Sequence, residues 1–340
     1  QLTHSDHCTR SGNANNTNQQ GFSLNDYLSF SGGGGGGRGV RIGGGSNSAP
    51  IDFGDNNGVA TTIATGMNLN HEFSDKTELT MSYFYSRFDK DLIQSQFRET
   101  FLQDNSFFTA SDSRQDNLTN NHSVNLRFEH EFDSLQSIQV RSTFGYNTSE
   151  QLSNSFSESY YSLDEPQNES DQLNENEGDN LRTTANILYR RKFNKPGRTF
   201  SLNLNGGLNN STQFGLTEAF NTFYRNGQAI LDPLDQEYDQ DNEGNNYGIR
   251  LSYTEPLARK LFVEATFDNG KNQTDVNREV FDLTGEAPVF ETELSNIYRS
   301  DYFYNRAGLN FLINGRDYSI TLGSELQQTQ LDGDLLLSDT

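Results

Sequence analysis

The feature that most constrains this chain is a period of two. In "HSVNLRFEHEF", residues 122–132, Val124, Leu126, Phe128 and Phe132 alternate with Ser123, Asn125, Arg127, Glu129 and Glu131. That spacing puts an apolar row on one face of a strand and a polar row on the other. The next segment, "SIQVRSTFGY", repeats it with Ile138, Val140, Phe144 and Tyr146 against Gln139, Arg141, Thr143 and Gly145. Only "DSLQ" separates the two, so they read as a hairpin with a tight turn. The same unit recurs around "SDKT", "NKPG", "EPLAR" and "NGRD". With Asp75, Ser134, Pro196, Leu257 and Arg316 taken as turn tips, successive spacings are 59, 62, 61 and 59 residues. Five hairpins at a nearly fixed period predict ten strands of one architecture.

Between the hairpins run polar stretches of roughly thirty residues, such as "NTSEQLSNSFSESYYSLDEPQNESDQLNENEGDN", well beyond the ~4 to 6 residues that usually connect elements of a compact domain. They are expected to be long loops. Short turns at one end and long polar loops at the other are the asymmetry of an outer-membrane barrel, whose strands alternate apolar outward and polar inward. Three turns are preceded by a phenylalanine in the same place, Phe73, Phe132 and Phe193, as an aromatic girdle at the hydrocarbon edge requires.

Composition fits this reading. Hydrophobic residues make up only 32% and mean hydropathy is -0.80, values that alone would suggest disorder. The 25 Phe and 15 Tyr argue instead for packed strands. A wide barrel needs just one apolar face, and its lumen is wet. A net charge of -22 opposes binding to nucleic acid, which is not expected as a partner. The single cysteine, Cys8, excludes an internal disulfide framework. No run of more than three apolar residues occurs, so no transmembrane helix is expected.

The stretches "GNANNTNQQGFSLNDYLSF", "FGDNNGVATTIATGMNLNHEFSDKTELTMSYFYSR" and "NNHSVNLRFEHEFDSLQSI" resemble the outer-membrane β-barrel family of TonB-dependent receptors found in Bacteroidota, and the likeness runs from Gly12 onward. The resemblance implies a large barrel in the cell outer membrane around a plug domain, energised by the TonB system and importing a bulky ligand. Outer-membrane lipid, plug and TonB are thus the implied partners, and the ligand is unknown. The chain lacks a signal-peptide pattern, a plug-like or TonB-box segment and an aromatic final strand, so it is expected to be an internal piece of a larger barrel.

The expected fold class is therefore all-β: an antiparallel transmembrane β-barrel, an up-and-down meander with ten recognisable strands. Residues 1–58 are expected to form a partial strand and a glycine-rich long loop, and residues 59–340 an outer-membrane barrel segment of five hairpins. The expected function is receptor and transporter in TonB-dependent uptake; the alternative is a non-transporting surface barrel acting as adhesin or assembly scaffold. No reaction is expected, and no catalytic residue, metal ligand or cofactor is assigned.

The remaining motifs are weaker. "SGGGGGGRGVRIGGGSN" lacks the Lys and Ser/Thr that a phosphate-binding loop needs and reads as a flexible loop. His71 and His130 recur in two "HEF" repeats and read as structural. His4, His7 and Cys8 lack a fourth zinc ligand. Asp239, Asp241, Glu243 and Gly244 match the first positions of a calcium loop, but Arg250 stands where a bidentate Glu is needed, leaving a solvated acidic loop. Arg127, Arg141, Arg250 and Arg306 are placed on the lumen face, to contact a plug or an anionic solute or, as favoured, to pair with Glu129, Glu131 and Glu264 across the wall.

Overall fold

The computed structural model of the chain describes residues 58–101, 106–162, 165–225, 227–314 and 318–335. The glycine tract, His4, His7, Cys8 and the Arg316 turn tip lie outside them. The strands are β1 (Val59–Ser74), β2 (Thr77–Phe101), β3 (Ser106–Asp133), β4 (Gln136–Ser162), β5 (Glu165–Lys192), β6 (Thr199–Arg225), β7 (Gln228–Ala258), β8 (Leu261–Asp282), the two-residue β9 (Val289–Phe290), β10 (Asn296–Asn314) and β11 (Ser319–Leu335). They form one antiparallel meander in the order β1-β2-β3-β4-β5-β6-β7-β8-β10-β11, with β9 attached to β8. The ten long strands are the ten that the alternation predicts. β1 and β11 are the two edges, and among the described residues they are not paired with each other.

The expected long loops are the main correction. "NTSEQLSNSFSESYYS" is the far half of β4, and "EPQNESDQLNENEGDN" is the first half of β5. They pair residue by residue from Asn147↔Asn180 to Ser157↔Ser170. Likewise Ser211–Arg225 of β6 pairs Gln228–Asn242 of β7 across a turn at Gly227, whose φ of 75° suits glycine. Among the described residues the far end has a turn at Gly227 and a longer connection over 283–295 between β8 and β10. The asymmetry lies in how far the strands run beyond their apolar halves. These halves are rich in Asn, Ser, Glu and Asp, residues depleted in strands, and a strand wet on both faces carries no apolar alternation to reveal it. What holds them is the backbone ladder and polar side-chain rungs such as Thr217 Oγ1 to Asn174 Oδ1 at 3.0 Å and Tyr238 Oη to Asn176 Oδ1 at 2.9 Å.

Turn placement follows local chemistry. The first turn is Asp75–Lys76, the second Ser134–Leu135, and the fourth Arg259–Lys260, two residues later than the Leu257 tip, because β7 continues through an irregularity between Pro256 and Ala258. The third, 193–198, is longer and closes where Gly197 adopts a φ of 85°.

β4 is paired on both sides at Ser153, to Gln115 on β3 and Asn174 on β5, so its amide hydrogen has a ladder partner whichever way it points. Ser153→Pro therefore removes a hydrogen bond in the middle of a sheet and should lower stability by about 1–3 kcal/mol. Urea unfolding measures this, and an unchanged midpoint would return the segment to a loop.

Candidate functional site

Register alone sorts the side chains into two faces. One row runs Leu69, Met81, Leu126 and Ser142, and the same face carries Met67, Ile187, Leu204, Ile249, Phe267, Leu309 and Leu322. Every long strand contributes to this belt, always in the half nearest the 75–76, 134–135, 193–198 and 259–260 turns or, for β10 and β11, nearest Asn314 and Ser319. On β3 it covers Val124 to Phe132, eight residue steps or ~26 Å along the strand. Many of these side chains are bare: Met67 is 61% exposed, Leu208 54% and Leu322 71%. An apolar band of this extent is far larger than scattered surface hydrophobics.

The belt's edge is aromatic. Phe73 and Phe132 sit in the last outward positions before their turns, each more than half exposed, and Phe193 follows directly after β5. His71 packs edge-on against Phe73 with ring centroids 4.5 Å apart at 89°, and His130 against Phe132 at 4.7 Å and 88°. Two repeats thus build the same histidine–phenylalanine corner. In the second, His130 Nδ1 also lies 2.8 Å from Thr77 Oγ1 on the neighbouring strand.

The opposite face is polar at the same height. Arg127 donates to Glu129 at 2.6 Å, Arg250 lies 3.5 Å from Asp268, and Arg306 lies 3.0 Å from Glu325. Arg250 and Arg306 therefore pair across strands, with partners other than those expected, while Arg127 pairs with Glu129 along its own strand. Glu264 instead accepts from Ser252 at 2.7 Å and Asn310 at 3.3 Å. Arg141 stands directly opposite Arg127, in register with a like charge. Beyond the belt, residues of six successive strands on this side, from Phe88 and Lys90 on β2 to Tyr238 on β7, line one concavity of about 740 Å³. Its wall is mostly Asn, Gln, Ser and Thr, a lining that offers hydrogen bonds to a polar solute.

Beyond the belt, the apolar face changes character. Directly opposed carboxylates recur there: Asp91↔Asp116, Glu150↔Glu177, Glu158↔Glu169, Glu218↔Asp235, Asp239↔Glu279, Glu243↔Asp275 and Asp301↔Asp332. Like charges facing across a ladder oppose pairing, so the backbone holds these rungs against their side chains. The solvated-loop reading of the Asp239 segment is corrected here. Residues 239–250 are straight β7 strand, and alternation puts Asp239, Asp241 and Glu243 in a row on one face, where they cannot wrap an ion as a loop does. Among the described residues no group of three or more His, Cys, Asp or Glu is arranged to hold a metal.

One cluster was not anticipated from the sequence. The 193–198 turn reaches to β7, where Glu255 receives Lys195 Nζ at 2.6 Å, Arg198 Nε at 2.7 Å and Tyr253 Oη at 2.8 Å, while Lys195 also donates to the Pro256 carbonyl at 2.8 Å. The cue is "NKPGR", too long for a two-residue turn and bearing two cations that lie 60 and 57 residues from their acid.

No model of a known protein family matches this chain, and no curated protein matches it.

The Asp91–Asp116 rung lies outside the belt and makes a pH prediction. A hydrogen bond with Asp116 first, then burial and repulsion from Asp116 and Asp89, hold the Asp91 carboxyl above its ordinary value of 3.8, with Arg114 opposing. A carboxyl raised in the folded state costs stability once pH exceeds its unfolded value, and costs nothing below it, where both states are protonated. Asp91→Asn should therefore raise the urea midpoint at neutral pH and leave it unchanged in acid below that value. A stabilisation equal at both pH values would show that charge is not the cause.

Proposed function

We propose that this sheet is the wall of an outer-membrane β-barrel that takes part in ligand uptake. The observation that carries the reading is the belt: an apolar band on one face of all ten long strands, at one height, rimmed by rings and backed by a polar face. In water such a band is costly. In a bilayer it is the outward surface of a barrel, whose apolar band is about 25 Å tall. Tilted by about 40°, the ~26 Å stretch of β3 covers about 20 Å of that thickness. No helix among the described residues is long and apolar enough to cross a membrane, and strands are the other means of crossing, since they satisfy their backbone groups with each other. Closure would have to pair the edges of β1 and β11 with each other or with further strands.

The TonB-dependent receptor resemblance supplies the transport part of the proposal, and the polar face supports it by offering a wet surface to a solute. The 16 residues of β4 beyond Tyr146 extend ~50 Å past the belt. These rigid hairpins favour, as a second reading, a surface barrel that serves as adhesin or scaffold. A TonB box in the same reading frame supports uptake; its absence from the complete gene supports the scaffold.

The membrane reading is tested on neighbouring residues of β6. Leu204 lies mid-belt, between Ile187 and Ile249, while Asn205 faces the polar side beside Gly248. Leu204→Arg should cost about 2–4 kcal/mol of folding stability in lipid vesicles, and Asn205→Arg far less. Equal costs would remove the lipid-facing assignment.

A further inference from the structure

The chain is acidic overall, yet its charge is divided along the strands. Residues 190–198 and 253–260, at the β5–β6 and β7–β8 turns, hold seven Lys and Arg and one acid, Glu255. Glu255 binds Lys195 and Arg198, and Lys195 reaches it from one turn while the other turn begins four residues on. The clasp therefore ties the two basic turns into one surface. Among the described residues Lys192, Arg259 and Lys260 make no ion pair and are exposed, and Arg191 is engaged only by the Phe193 ring, 5.1 Å from its guanidinium carbon. The adjacent turn contributes two acids, Glu131 and Asp133, and the Asp133 carboxylate is occupied by the Leu135 amide at 2.7 Å and Gln136 at 3.0 Å.

These cations stand at the edge of the apolar belt. Phe193 and Tyr253 face each other there at 6.4 Å, and Leu257 is 55% exposed beside Arg259. A concavity of about 600 Å³ opens at the same place, with Leu135, Phe193 and Pro196 among its walls and Lys192 and Arg198 at its rim. The opposed carboxylates lie at the other end of the belt, ~25 Å away and beyond the ~8–10 Å over which salt lets charges act.

From this we infer that the two turns form a binding surface for anionic phospholipid headgroups of the leaflet on the short-turn side, an inference that rests on the membrane reading of the belt. The cations meet the phosphate, and the rings and Leu257 meet the glycerol and upper acyl region. A free anion would not need the exposed apolar residues, and an acidic protein would not need the belt directly behind them.

The test is flotation of the full chain with vesicles of phosphatidylcholine alone or with phosphatidylglycerol added, comparing the native sequence with the triple variant Lys192→Gln, Arg259→Gln, Lys260→Gln. Phosphatidylglycerol should strengthen native binding, and the variant should lose at least about tenfold of that gain, at about fivefold per cation. Replacing the same cations by one another (Lys192→Arg, Arg259→Lys, Lys260→Arg) should keep the gain. An equal gain in native and variant chains, or none in either, overturns the inference. So does competition by inorganic phosphate beyond that of chloride at equal ionic strength, which would mark a free-anion site. Protection of the strands from protease in pure phosphatidylcholine judges the belt separately. Lost protection with a retained phosphatidylglycerol difference sinks the membrane wall and leaves the basic surface standing.

Discussion

The structure depends on the antiparallel backbone ladder. Each long strand pairs its backbone only with its neighbours in the meander, and the sheet has almost no interior: among the described residues the buried apolar side chains are Phe84, Ala219 and Val280. A soluble domain of this length would hold itself together by burying apolar area. Here that area stays on the outside, and hydrogen bonding between successive strands sets every other relation. Because each rung fixes the next, register passes from β1 to β11 with shifts only near strand ends, and sorts the side chains into two faces.

That sorting explains residues that look unfavourable one at a time. Arg127 opposite Arg141 is tolerable because Glu129 stands beside them, bonded to Arg127 and to Gln139. The opposed carboxylates of the far strand halves stand in water, where repulsion between charges is weak, and Arg114 and Arg299 lie near some of them. The third turn is anchored differently. Its length leaves it without a two-residue turn's own closure, and the Glu255 clasp supplies the anchor by binding it to β7. The ion pairs are only partly buried, so their contribution lies in fixing position more than in net stability.

Along the strand axis the molecule divides into a turn end that is basic at β5–β6 and β7–β8, an apolar belt with an aromatic edge, and a long polar and acidic extension. The opposite face carries polar groups along its whole height. On the proposed reading, one ladder serves three environments: headgroups at the turns, hydrocarbon at the belt, and water beyond it.

The strands near the short turns were legible in the sequence, because one wet and one apolar face force the alternation seen at Val124, Leu126 and Phe128. The histidine–phenylalanine corners were visible as repeated "HEF" motifs, though their edge-on geometry was not. The far halves of β4 to β7 were misread as loops, since residues such as Asn174, Ser155 and Asp241 have the composition of a loop and pair only because the strands beside them already do. The Glu255 clasp and the basic surface were hidden for a related reason: Lys195 and Glu255 lie sixty residues apart, and only the folding of one turn onto its neighbour's strand brings them together. The sequence by itself determined the strand class, the number of long strands and the face each near-turn residue takes, because a period of two is a local property of the backbone. Tertiary structure alone decided strand length, turn anchoring and the partition of charge, because those follow from pairing between distant segments, which no local pattern records.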